Sequence, residues 1–219
     1  MRGTDKIINK LKKLGTKRNR EGMARFGIET KYAFGVNVTT LRKLAKEIGK
    51  NHKLAGELWK TKFHEARILA CFIDEPEKVT ERQMDLWVKG FNSWDLCDQC
   101  CLSLFDKTPF AWKKVLEWVK SDKEFVRRAG FAMMAVLAVH DKTAPDSKFL
   151  KFFPIIKVYS VDERNFVKKA VNWALRQIGK RNAKLKKEAI KTAEQILKQY
   201  PNSKSAKWIA NDALRELKK

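Results

Sequence analysis

"EFVRRAGFAMMAVLA", residues 124–138, and "NFVKKAVNWALRQIG", residues 165–179, open alike: phenylalanine, valine, two basic residues and alanine, at Phe125–Ala129 and again 41 positions later at Phe166–Ala170. Both continue into apolar residues spaced three and four apart, the period of a helix with one buried face. A looser echo, "FHEARILACFI", begins at Phe63, and each of the three segments is followed by a second amphipathic stretch. Helix pairs recurring at about 40 residues are the signature of HEAT-type repeats, because one pair alone cannot bury its apolar face and must stack on the next. Two similar amphipathic helices also arise in unrelated helical proteins, so the rest of the chain has to agree.

Helical spacing recurs nearly everywhere, as in "LRKLAKEIG" with Leu41, Leu44, Ala45 and Ile48, and no run alternates as a strand would. The pattern predicts helices near residues 4–14, 18–26, 38–49, 52–61, 63–73, 80–91, 93–106, 109–121, 124–140, 146–159, 163–180, 183–200 and 204–218. Gly35 and Gly49 stand where helices should end. Thr80-Glu81 and Asp146-Ser147 offer N-caps, and "DEPEK", "TPF", "TAPDS" and "YPNSKS" read as connectors. No linker is long or low in complexity, which predicts one continuous domain over residues 1–219. The expected fold is all-α: a HEAT-like repeat solenoid of antiparallel helix pairs whose second helices line a concave face. Arg127, Arg128, Lys168, Lys169 and Arg176 lie on the echoed helices and would make that face a basic groove. The plainer reading of such charges is a solvated outer face.

The charge balance favours the groove. Lys and Arg number 48 against 25 Asp and Glu, a net charge of +23. An imbalance that large points to a polyanionic partner, nucleic acid first, although a lysine-rich thermophile would show a similar composition. No segment approaches ~20 consecutive apolar residues, so no membrane span is expected. "MRGTDKIINKLKKLG" has no apolar core of a signal peptide, which predicts a cytoplasmic, nucleoid-associated protein with Cys71, Cys97, Cys100 and Cys101 as reduced thiols; a monomer is expected.

"NSWDLCDQCC", residues 92–101, sets two carboxylates and an indole beside three thiols in this basic chain. On a helix, Trp94 and Asp98 share a face, Asp95 and Gln99 take the neighbouring one, and Cys97, Cys100, Cys101 and Leu104 turn inward. Cys97 and Cys100 have the C-x-x-C spacing of a zinc ligand pair, but no second pair exists, so buried structural cysteines are expected, with no metal and no cofactor.

Taken together, "GMARFGIETKYAFGVNVTTLRKLAKEI", "NSWDLCD", "EFVRRAGFAM" and "NFVKKAVNWALRQIGK" resemble, in order and spacing over most of the chain, the AlkD-like DNA alkylation repair family of HEAT-like-repeat DNA glycosylases. Trp94 and Asp98 match that family's W-x-x-x-D element, Arg128 the arginine of a later element, and Trp173 the tryptophan of F-x-x-K-A-x-x-W. Phe26 stands where the best-known members carry a tyrosine, and Ser93 where some carry a second tryptophan. The resemblance implies excision of cationic N3- and N7-alkylated purines from double-stranded DNA. Asp98, with Trp94 and Trp173, would stabilise a positive charge on the sugar. Arg128 would hold a phosphate, and Arg127, Lys168, Lys169, Arg176 and Phe26 would make further DNA contacts. The family also contains members that bind branched DNA without excising bases.

Overall fold

The computed structural model describes residues 3–219. Its regular structure is helical, and the chain divides into two compact units, Met1–Phe110 and Ala111–Lys219. The first holds α1 (Gly3–Leu14), α2 (Lys17–Arg25), α3 (Val38–Ile48), α4 (His52–Lys60), α5 (His64–Ile73), α6 (Glu81–Lys89) and α7 (Trp94–Ser103), with 3-10 turns at Pro76–Lys78 and Phe105–Lys107. The second holds α8 (Ala111–Trp118), α9 (Glu124–His140), α10 (Asp146–Leu150), α11 (Phe152–Tyr159), α12 (Asn165–Gly179), α13 (Ala183–Gln199) and α14 (Lys204–Leu217). No helix among the described residues is long and apolar enough to cross a membrane.

The repeat predicted from the echo is the organising element. In the first unit α4 packs on α5, and α5 lies against both α3 and α7. Trp59 of α4 stacks on Trp87 of α6 at 4.2 Å, which ties successive first helices together. In the second unit α8 packs on α9, α9 on α12, and α12 on α13 and α14. The two echoed phenylalanines meet, with Phe125 and Phe166 ring centroids 5.5 Å apart. α9 is buried continuously from Arg128 to Ala138, as expected of a helix apolar on all sides.

Three local expectations change. The segment read as one helix over 146–159 is two, α10 and α11, broken at Lys151. Pro154 has no N–H to donate to the Leu150 carbonyl and its ring crowds that oxygen, so a continuous helix is disfavoured there. Asp146 is not an N-cap: Pro145 holds that position, and the Asp146 carboxylate instead accepts from Asn182 Nδ2 at 2.9 Å. Gly35 ends no helix. It lies in the connection between α2 and α3 at φ 85°, and a Cβ there would sit 2.2 Å from the Thr16 carbonyl oxygen. Gly49 does cap α3, and Thr80 Oγ1 caps α6 by accepting from Gln83 N–H at 3.1 Å.

Candidate functional site

α7 presents the candidate site in the first unit. Trp94 is its first residue and Asp98 lies one turn on; both are half-buried, whereas Cys97, Cys100 and Cys101 between and behind them are fully buried. The helix therefore turns its thiols into the core and keeps the indole and carboxylate at the surface, as i, i+4 spacing requires. Cys71 Sγ lies 2.7 Å from Cys100 Sγ, and burial first, then the neighbouring thiols, pushes the Cys100 thiol well above its ordinary pKa. No cluster of metal-ligating side chains occurs among the described residues.

The indole is fixed from the far end of the unit. α2 closes on Phe26, and Gly27 follows at φ 74°, a left-handed residue that turns the chain sharply away. The last carbonyls of a helix lack partners within it. That of Phe26 accepts from Trp94 Nε1 at 3.0 Å. The Phe26 ring itself is 71% exposed beside this anchor. Phe26, Trp94 and Asp98 are thus gathered by α2 and α7.

Beneath them lies a pair that the sequence reading did not select. His64, the first residue of α5, meets Asp95 Oδ2 through Nε2 at 2.8 Å, with both side chains buried. Burial pushes the Asp95 carboxyl up, but the hydrogen bond and charge of His64, together with smaller contributions from Ser93 and the Leu96 N–H, hold the pKa below the usual carboxylate range. A carboxyl depressed in the folded state stabilises the fold above its unfolded value of about 3.9 and loses that contribution as pH falls through the folded pKa. Asp95→Asn is accordingly expected to lower stability by about 2 kcal/mol at pH 7 and to flatten the loss of stability below about pH 4, as read from urea midpoints across pH. The available signal was charge inside an apolar run: "HEARILACFI" opens with His64 and Glu65 and is otherwise nearly all core.

The second unit holds the remaining candidates, and their surroundings differ. Arg127 is neutralised by Asp162 at 2.7 Å and Asp122 at 3.3 Å, and its guanidinium lies over the Tyr159 ring. Arg128 is only 5% exposed and donates to the Phe166 carbonyl at 2.6 Å. Arg176 bonds Asn172 Oδ1 and pairs with Asp212 and Glu216. These three arginines, expected to face phosphates, are engaged inside their own unit by partners that the repeat pattern could not reveal. Lys168 reaches over the Trp208 ring at 5.4 Å, Lys169 is exposed, and Trp173 is half-buried one turn beyond Lys169. Arg128→Ala is expected to lower stability by about 2–3 kcal/mol in urea unfolding, because the part-buried Phe166 carbonyl loses a charged donor and the contact between α9 and α12 loses a buried side chain.

Stacked helix pairs with this order and spacing define an all-α protein of the HEAT-like repeat class. Residues 7–217 match the family model described as "DNA alkylation repair enzyme", and the chain belongs to that family. It is 22% identical over 189 residues to the uncharacterized protein Lin0241 of Listeria innocua serovar 6a, covering 85% of this chain and 82% of that one. Its fold is similar, at a TM-score of 0.79 and 23% identity, to a solved structure described as "a new family of proteins related to the HEAT-like repeat DNA glycosylases with affinity for branched DNA structures". The match covers 88% of this chain and 82% of that chain.

Proposed function

We propose that this protein is a DNA glycosylase that excises cationic N3- and N7-alkylated purines from duplex DNA. The observation that carries the reading is the placement of half-buried Asp98 one turn from Trp94 on α7, with the indole pinned to the Phe26 carbonyl, in a +23 member of an alkylation repair family. An alkylated purine of this kind already bears positive charge and leaves without a strong general acid. As the glycosidic bond stretches, charge passes to the deoxyribose, giving an oxocarbenium-like transition state of the kind met in sugar hydrolysis. Asp98 stabilises that cation and orients the attacking water. Trp94 offers the negative face of its ring, for ~0.5–2 kcal/mol. Lys168 and Lys169 contact the phosphate backbone, which gathers DNA without reading its sequence. Selectivity comes from the weakness of the bond in a cationic lesion, and the damaged nucleotide is not held in a deep pocket.

The test is incubation with methylated duplex DNA and chromatography of the released bases. Free methylpurine should appear without added zinc, and uracil-containing DNA should remain intact. A second reading, a non-catalytic binder of branched DNA on the same scaffold, is favoured by the likeness to the branched-DNA family. It would be indicated by tight binding to a junction with no base released from any methylated substrate.

A further inference from the structure

The first unit carries an open depression whose lining includes neither Trp94 nor Asp98: Arg42, Lys46, Lys50 and Lys107 surround Phe72 and Ser103. Its cations come from three places: Arg42 and Lys46 from α3, Lys50 from just after it, and Lys107 from the 3-10 turn after α7. All four are exposed, no carboxylate lines the depression, and none of the four forms an ion pair among the described residues. This contrasts with Lys10, Arg127, Arg176 and Lys180, each of which is paired with acid.

Neutral acceptors orient three of the four cations. Arg42 Nη2 donates to Gln99 Oε1 at 3.1 Å, and its guanidinium lies 5.7 Å from the centre of the Phe72 ring. Lys50 Nζ donates to the carbonyls of Phe72 at 3.0 Å and Asp74 at 2.7 Å, at the end of α5. Lys107 Nζ donates to the Ser103 carbonyl at 3.0 Å. Such contacts aim a cation without cancelling its charge. Burial first, and then the crowding charge of Lys107, lowers the pKa of Lys50, outweighing the opposing charges of Asp74, Glu77 and Glu75. An anion with several spread oxygens would relieve that crowding, and the planar fork of Arg42 matches such a group.

We propose that this depression is a phosphodiester-binding subsite that grips a nucleic-acid backbone at a point separate from the Trp94–Asp98 pair. The identity of the ligand rests on the DNA reading above; the anion site rests on the cluster itself. Gln99, which aims Arg42, follows Asp98 directly on α7, so one rigid helix connects the two places. Trp94 and Ser103 are separated along that helix by about 13 Å, at ~1.5 Å per residue.

The experiment compares wild type with the triple variant Arg42→Gln, Lys46→Gln, Lys107→Gln and with a control of equal charge change, Lys184→Gln, Lys186→Gln, Lys187→Gln, on an exposed part of α13. Duplex affinity is measured from low to moderate salt. The subsite variant should bind at least about tenfold more weakly at low salt, with a salt slope shallower by roughly 2–3, since each neutralised phosphate contributes about 0.9. The control should change much less. Equal losses in both variants, or none in the subsite variant, overturn the subsite while leaving the DNA reading intact. If wild type binds no duplex, the DNA reading fails, and titration with inorganic pyrophosphate followed by amide NMR decides the subsite. Shifts at Gly49, Phe72 and Ser103 that vanish in the triple variant uphold an anion site, and their absence in wild type overturns it.

Discussion

Replacing Asp98 by Asn is expected to slow methylpurine release by roughly a thousandfold while affinity for the same duplex holds or rises. The size follows from the Coulomb energy of a full charge about 4 Å from a sugar cation, which is on the order of 4 kcal/mol at an effective dielectric near 20. Each 1.36 kcal/mol is about a factor of ten in rate, so removal of the charge reaches about three powers of ten. Asparagine keeps the shape of a half-buried side chain, and little stability should be lost. Binding is retained because the carboxylate repels phosphates in the ground state and acts favourably only as the cation develops. Single-turnover release with protein in excess separates the two quantities. A variant that releases base as fast as wild type would remove Asp98 from the chemistry.

The largest effect on stability is expected from Glu65→Ala. Glu65 is fully buried, and its carboxylate accepts from the N–H groups of Phe34 at 3.0 Å, Gly35 at 2.7 Å and Val36 at 3.2 Å. Three successive backbone donors that converge on one anion form a small nest. Removing the anion leaves them without their acceptor at ~1–3 kcal/mol each, so a total near 4 kcal/mol is expected after relaxation, against a usual domain stability of about 5–15 kcal/mol. Glu65→Gln retains one acceptor oxygen and should lose about half as much. The damage should spread toward the site, because the Gly35 carbonyl accepts from Thr16 N–H and Asn19 Nδ2, and these hold the start of α2. The end of α2 carries Phe26, the anchor of Trp94. Urea midpoints of the two variants, with Trp94 fluorescence isolated in a background lacking the other indoles, measure both effects.

The two basic pairs show how far local reading extends. Arg127-Arg128 and Lys168-Lys169 occupy the same register of the echo and look interchangeable in one dimension. In the fold the first member of each pair covers an aromatic ring, Tyr159 or Trp208, but only Arg127 is also clasped by Asp122 and Asp162. Arg128 is sealed against the Phe166 carbonyl, whereas Lys169 stays in solvent. The break before Pro154 was readable from the missing N–H. The misplaced stop at Gly35 was not, because its constraint is the approach of Thr16, a residue in another turn of chain.

By itself the sequence determined the helical class, the repeat of about 40 residues, the inward turn of the cysteines, the surplus of positive charge and the family motifs. Each is a property of spacing or composition, and a helix imposes its 3.6-residue period whatever it packs against. Only the tertiary structure decided which cations are already neutralised, that His64 pairs with Asp95 and Glu65 holds the segment before α3, and that Arg42, Lys46, Lys50 and Lys107 converge on a depression that no carboxylate lines. Compensation of a charge depends on groups a few ångströms away in space and dozens of residues away along the chain, and no local period encodes that distance.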